Sequence, residues 1–308
     1  MKFRINLMKY RYLWLALALA MTLASIGSIV FRGFNLGIDF TGGTMMDIRF
    51  EQPVTVSQVR DVLDDYNLGN SVIQIATEGQ TDNGHTGRNV LIRTKVLEEQ
   101  DRAAIMKDLS TKVGQFDIQR VEKVGATVGG ELTKDAFLAF GIATLLMLCY
   151  IGFRFEFRFA FSGIIALIHD LVVTIGIFSF LQREIDSSFV AAILTILGFS
   201  INDTIVIFDR IRENLRSFKR GESLVKLVND SIWQTMTRSI YTVMTVLFST
   251  VSLYLFGGDT TKDFALALTI GFAFGSFSSI FIAPSCWLLM KGKEVIEEGE
   301  ETPKPQIN

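Results

Sequence analysis

Phe189-Val-Ala-Ala-Ile-Leu-Thr-Ile-Leu-Gly-Phe-Ser-Ile-Asn-Asp-Thr-Ile-Val-Ile-Phe208 runs straight into Asp209-Arg-Ile-Arg-Glu-Asn-Leu-Arg216. The first part can cross a bilayer, which takes about 20 mostly apolar residues. Asn202 and Asp203 interrupt it. A carboxylate at that depth costs about 2.5–3.5 kcal/mol on insertion scales, so an acid kept there is read first as a functional group. The other apolar runs are arranged as if to surround it.

Of the 308 residues, 49% are hydrophobic, and mean hydropathy is +0.35. The apolar residues gather in long runs. The class is therefore a polytopic α-helical membrane protein rather than an ordinary soluble domain. The net charge of −2 decides little, because the charges are segregated along the chain. Cys149 and Cys286 both lie in apolar runs and read as small buried hydrophobes. His85 and His169 are the only histidines, and no metal-ligand spacing occurs, so neither a metal nor a cofactor is expected.

Residues 1–11 carry Lys2, Arg4, Lys9 and Arg11 and read as a cytoplasmic N-terminus. A first span follows over 12–33. A cleaved signal peptide competes, with small-residue sites in Ala16-Leu-Ala-Leu-Ala20. The apolar run is longer than a signal core, which favours an uncleaved anchor. Gly33-Phe-Asn-Leu-Gly-Ile-Asp-Phe-Thr-Gly-Gly-Thr44 is a glycine-rich connector. It lacks the Lys-Ser/Thr ending of a phosphate loop and the GxGxxG spacing, so its glycines are read as turn formers.

Residues 34–130 form a water-facing α+β domain. Alternation predicts strands over 45–50, 71–77, 89–95 and 116–124, and helical spacing predicts helices over 56–66 and 98–113. The β-α-β-β-α-β order suggests a ferredoxin-like sandwich. His85 falls in a turn-rich loop over 78–88 and reads as solvated. Five further spans lie in 131–290, at about 135–153, 159–181, 189–208, 235–256 and 264–290, with a basic segment over 209–234. The tail over 291–308, with Pro303 and Pro305, is expected to be disordered. Arg154, Arg158, the basic residues between Arg210 and Arg238, Lys291 and Lys293 then share one side. The opposite short loops hold only Arg183 and Lys262. The positive-inside rule places both termini in the cytoplasm and the α+β domain outside.

On a 3.6-residue helix Thr195, Gly198 and Asn202 share a stripe, with Asp203 about 100° round. The fifth span carries Arg238, Thr242, Thr245, Ser249 and Ser252 at spacings of four, three, four and three. The third adds His169, Asp170 and Thr174. In the sixth, Ala267, Gly271, Gly275, Ser279 and Ala283 recur every four residues, a small-residue ridge for close helix packing. The uniting reading is a proton path past Asp203, with Arg238 as counter-charge and hydroxyls as relay. The blander readings are that Asp203 is an assembly contact, Arg238 snorkels to the interface, and the hydroxyls only join helices.

Enzyme readings are thin. No GxSxG elbow or Ser-His-Asp ordering stands out. Asp170 and Asp203 could suggest an intramembrane aspartyl protease, but the arginine and the outer domain have no role in that scheme.

The segments Phe34-Asn-Leu-Gly-Ile-Asp-Phe-Thr-Gly-Gly43, Val124-Gly-Ala-Thr-Val-Gly-Gly-Glu-Leu132, Phe153-Arg-Phe-Glu156, His169-Asp170 and Gly198-Phe-Ser-Ile-Asn-Asp-Thr-Ile-Val-Ile-Phe-Asp-Arg-Ile-Arg-Glu-Asn214 carry a resemblance. They resemble the SecF branch of the SecD/SecF protein-export family, itself similar to one half of the RND transporters. The resemblance implies a six-span unit pairing with SecD in the bacterial cytoplasmic membrane. It implies work beside the SecYEG channel, and with YajC and YidC, on an unfolded preprotein, using the proton-motive force and no nucleic acid. The family's intramembrane acid maps onto Asp203 and its arginine onto Arg238. Of the hydroxyl run after the arginine, Thr242 and Thr245 match, whereas Val243 and Val246 are apolar. Gly37, Asp39, Gly42 and Gly43 map onto the family's structural glycine motif. Ala126 stands where the family often has proline. A proton-coupled exporter half and a non-transporting translocon scaffold stay open as alternatives.

Overall fold

The computed structural model describes residues 5–75, 79–81, 84–218 and 222–299. In chain order it has a 3₁₀ turn (Leu7–Tyr10), α1 (Arg11–Arg32), β1 (Asn35–Leu36), α2 (Ile38–Thr41), β2 (Gly43–Thr55) and α3 (Val56–Asp64). Then come β3 (Val72–Ile75), β4 (Gly79–Thr81), β5 (Gly84–Thr94), α4 (Glu99–Lys112) and β6 (Phe116–Val124). The rest is α5 (Ala126–Arg154), α6 (Phe157–Leu181), β7 (Glu184–Ile185), α7 (Ser187–Leu215), α8 (Leu224–Phe256), α9 (Asp259–Phe277), a π turn (Ser278–Ile282) and α10 (Ala283–Gly299). Two compact units emerge: Leu36–Leu138, and Met1–Asn35 with Ala139–Asn308.

The smaller unit is a sheet in the order β3-β5-β2-β6, each pair antiparallel, with β4 folded back on β5. Met46, Ile48 and Phe50 alternate along β2 and are buried with Val90 and Ile92 of β5. Val59 and Leu63 of α3 and Ile105 and Leu109 of α4 complete that core. The period of two on the strand and of about four on the helices is what brings one face of each inward. Thr55 starts α3 with a capping box, its side chain accepting from Gln58 N while Gln58 bonds back to the cap.

Gly42 and Gly43 open β2 at φ +68° and +136°, a region L side chains rarely adopt. A Cβ on Gly43 would also run into the carbonyl oxygen of Thr94, and one on Gly42 would sit 3.0 Å from Ala126 Cα. Gly37 caps α2 and Asp39 lies in its first turn. The glycine pair thus lets β2 begin hard against β5 and the first turn of α5. His85 and much of the loop over 78–88 lie outside the described side chains.

The larger unit is a helical bundle. Among the described residues six helices are long and apolar enough to cross a membrane: Leu7–Arg32, Ala126–Arg154, Phe157–Leu181, Ser187–Leu215, Leu224–Phe256 and Thr261–Lys291. Their number agrees with the sequence reading; their ends do not. α7 runs on through Asp209–Glu213, and α8 begins at Leu224 rather than near 235. Most of the basic segment over 209–234 is therefore helix. Arg, Lys, Glu and Leu are good helix formers, and Ser223 caps α8 by accepting from Lys226 N at 3.4 Å. α10 likewise carries helix to Gly299, into the tail expected to be disordered. Residues 300–308 lie outside the described residues.

Small residues set the helix contacts. α1 meets α6 where Ser25 lies so close to Gly176 that a Cβ there has no room. Gly271 of α9 faces Ile196 of α7 with no room for a Cβ, and a Cβ on Gly275 would lie 3.1 Å from that of Ser200. This is the close approach that small-residue ridges permit. Phe159 stacks on Trp287 at 4.8 Å and meets Phe208 edge-on at 5.0 Å. Arg154 at the end of α5 donates to both carboxylate oxygens of Asp209 at 3.0 Å. Near the N-terminus Leu7 N donates to Asn229 Oδ1 at 2.8 Å, and Met8 is fully buried.

Gly43→Val combines a disfavoured backbone with a clash, and such strain costs about 1–3 kcal/mol. The solubilised variant chain is expected to be cut faster by protease within residues 36–138; unchanged cutting would contradict this account of the glycine pair.

Candidate functional site

α7 starts at the Asp186 cap, whose Oδ1 accepts from Phe189 N at 2.8 Å. The helix then buries Ser200, Asp203, Thr204 and Ile207 on one side. Asp203 is 7% exposed. Its Oδ1 accepts from Ser239 Oγ of α8 at 2.7 Å. Its Oδ2 is buried and finds no partner among the described residues. Arg238, next to Ser239, is exposed and makes no described hydrogen bond to Asp203.

A second carboxyl lies deeper. Asp170 of α6 is 1% exposed. Its Oδ1 lies 3.1 Å from Nδ1 of the buried His169. Its Oδ2 accepts from Ser200 Oγ of α7 at 2.6 Å and from Ser278 Oγ of the π turn at 2.7 Å. Thr174 Oγ1 donates back to the Asp170 carbonyl at 2.7 Å. The neighbouring Ser279 places its Oγ 2.8 Å from Thr204 Oγ1 and donates to the Ser200 carbonyl at 3.1 Å. A π turn holds an extra residue in one helical turn, a device common at functional sites. Here it presents two successive hydroxyls, both fully buried, to two different helices.

Asp203, Asp170, His169 and Thr174 are therefore buried between helices, although nothing in the described hydrogen bonds joins Asp203 to Asp170 directly. Asn202 is exposed, as are Thr195 and Gly198 of its stripe. On α8 Thr245, Ser249 and Ser252 are exposed and Thr242 is half-buried. Thr245 spends its hydroxyl on the Thr242 carbonyl at 2.7 Å, and Ser249 on the Thr245 carbonyl at 3.1 Å. Both stripes thus look out of this chain's own bundle. The reason is angular: consecutive helical residues point about 100° apart, so Arg238 and Ser239 cannot serve one face.

Sequence reasoning missed Ser200, Ser239 and Ser278. Their signals were present. Ser200 lies one turn before Asp203 and Thr204, Ser239 is next to Arg238, and Ser278-Ser279 is a polar pair in an apolar run. No group of His, Cys, Asp and Glu that could hold a metal ion occurs among the described residues.

The model of the protein export membrane protein SecD/SecF C-terminal family matches residues 105–293, and that of the SecD/SecF GG motif matches 27–54. The chain is 49% identical over 290 residues to the protein translocase subunit SecF of Acidaminococcus fermentans, covering 94% of this chain and 98% of that one. It is 40% identical to the SecF of Sebaldella termitidis, covering 94% and 93%. Among solved structures it is similar to SecDF, a translocon-associated membrane protein from Thermus thermophilus, with TM-score 0.84 and 33% identity over 94% of this chain. It spans only 39% of that SecDF chain. A SecDF structure in a super-membrane-facing form gives a TM-score of 0.69, also at 33% identity, covering 98% of this chain and 41% of that one.

Ser239→Ala removes the one hydrogen bond described for the Asp203 carboxyl. Leaving such a buried group without its partner costs about 1–3 kcal/mol. A lower midpoint of thermal unfolding is expected for the solubilised variant, with Ser239→Thr close to the parent; an unchanged Ser239→Ala midpoint would show that the bond contributes nothing.

Proposed function

The chain belongs to the SecD/SecF family of protein export membrane proteins, on its SecF branch, and we propose that it uses the proton-motive force to promote late preprotein translocation. The broader role, an accessory subunit of Sec translocation in a membrane, comes with the family. Proton coupling rests on one observation: Asp203 sits in a membrane-crossing helix, buried, with a single hydroxyl on one oxygen.

Exchange of a proton at that carboxyl changes what it can do with Ser239. A neutral carboxyl and a carboxylate differ in donors and acceptors, so the α7–α8 contact senses the proton. Arg238 supplies the counter-charge from the exposed face of α8, and Asn202, Thr242 and Thr245 line the route on the outward faces. Asp170 and His169 support the centre from α6. Protons are the coupling ion, and no cofactor takes part.

A SecD subunit fits those outward faces. Relatives in which this chain corresponds to 39% of a longer SecDF polypeptide support such pairing. In the full assembly we place the sheet unit, over 34–130, outside the cytoplasmic membrane and both termini inside, on the distribution of Arg and Lys. Its β3-β5-β2-β6 order and two helices support a ferredoxin-like reading. There it would act on a preprotein leaving SecYEG, with YajC and YidC as further neighbours.

Asp203→Asn, reconstituted with a SecD subunit, tests the reading. Proton conductance and preprotein export are both expected to fall by at least about tenfold, equivalent to about 1.4 kcal/mol, with assembly intact. Export that survives unchanged would leave a scaffold, which tolerates a neutral isostere.

A further inference from the structure

Asp170 has a different geometry from Asp203. All its partners are fixed: His169 on one oxygen, Ser200 and Ser278 together on the other. These reach it from α6 itself, from α7 and from the π turn. One turn further along α7, Ser279 of the same π turn holds Thr204 and the Ser200 carbonyl. One side of α7 is thus pinned at two successive levels, residues 200 and 204. Asp203 precedes Thr204 and so points about 100° away, toward Ser239 on α8.

Rotation of α7 is then what decides the Asp203–Ser239 contact. A side-chain group about 5–6 Å from a helix axis sweeps about 2 Å in a turn of about 20°. Swept sideways, that displacement stretches the 2.7 Å bond to about 3.3 Å and bends it, which weakens it.

Among the described residues no chain of direct hydrogen bonds joins the Asp170 and Asp203 side chains. The described bonds run from Asp170 to the Ser200 and Ser278 hydroxyls. The Ser279–Thr204 pair touches this set only through the Ser200 carbonyl, which has no proton to give. Thr204 makes no described bond to the Asp203 side chain.

We propose that Asp170 is a positioning residue: by holding Ser200 and Ser278 it sets the rotation of α7, and with it the Asp203–Ser239 contact, without carrying protons itself. Its bearing on export rests on the proton-driven reading of Asp203; its effect on the position of Asp203 does not. The contact pattern makes asparagine an adequate substitute. Both serine hydroxyls land on one oxygen, which an amide carbonyl replaces, and the amide N–H can face His169 Nδ1.

The test compares Asp170→Asn, Asp170→Ala and Asp203→Asn in the full chain assembled with SecD. Two readings are taken: preprotein export, and the rate at which dicyclohexylcarbodiimide labels Asp203, which reports the surroundings of that carboxyl directly. Asp170→Asn is expected to stay within about twofold of the parent in both. Asp170→Ala is expected to lose about tenfold in export and to shift the labelling rate by a similar factor, the cost of one displaced buried hydrogen bond. An Asp170→Asn variant as inactive as Asp203→Asn would overturn the proposal and make Asp170 a proton carrier. Unchanged export and labelling in Asp170→Ala would overturn it too. If Asp170→Ala does not assemble, Ser278→Ala takes its place, and unchanged labelling there counts against the proposal. Normal export by Asp203→Asn would remove the proton-driven reading, while the labelling rates still decide whether Asp170 positions Asp203.

Discussion

A carboxyl inside an apolar bundle has to find its hydrogen bonds within the protein, because hydrocarbon offers none. Among the described residues Asp170 and Asp203 are two such groups, with both oxygens of the first and one of the second supplied by neighbouring helices or residues. Serine is the donor in each case: Ser200 and Ser278 for the first, Ser239 for the second. Serine is small enough to sit where two helices nearly touch and still offers one O–H. The cost of burying the acids is thereby offset in part, with no hydrogen bond from an arginine or lysine to either among the described residues.

That solution demands close helices. Gly271 and Gly275 bring α9 onto α7, with Ile196 and Ser200 at the contact. The π turn follows directly after them. Ser278 and Ser279 are consecutive and so point to different sides of their helix. One reaches Asp170 on α6 and the other Thr204 on α7. Packing by small residues and hydrogen bonding by hydroxyls are therefore one arrangement: widen the gap at Gly275 and the serines lose the acid.

The two faces of α8 divide the labour. Its Ser239 face belongs to this chain and closes on Asp203. Its Arg238, Thr245 and Ser249 face is turned outward, which suits a protein whose relatives include a SecDF chain of more than twice this length. At the far end of α7, Arg154 and Arg212 gather on Asp209, so the helix that carries Asp203 is tied at its charged end to α5 as well. Movement of α7 would be felt there.

The number of spans, the α+β insertion after the first of them and the intramembrane acid were all legible in the residue order. Each depends on local quantities: the length of an apolar run, the period of alternation, one charge among hydrocarbon side chains. The glycine pair at 42–43 was visible as a motif, but its reason, a strand starting against the Thr94 carbonyl, was not. The apolar spans at 189–208 and 235–256 are shorter than the helices that hold them, because charged residues end a hydropathy run without ending a helix. The partners of the acids were beyond reach for a different reason. Which of Arg238 and Ser239 meets Asp203 turns on the rotation of α8, and which acid receives Ser278 turns on the rotation of the helix that carries it. Rotation about a helix axis leaves hydropathy unchanged, so sequence alone determined that an acid lies within a long apolar helix, and only the packing of the helices decided what holds it.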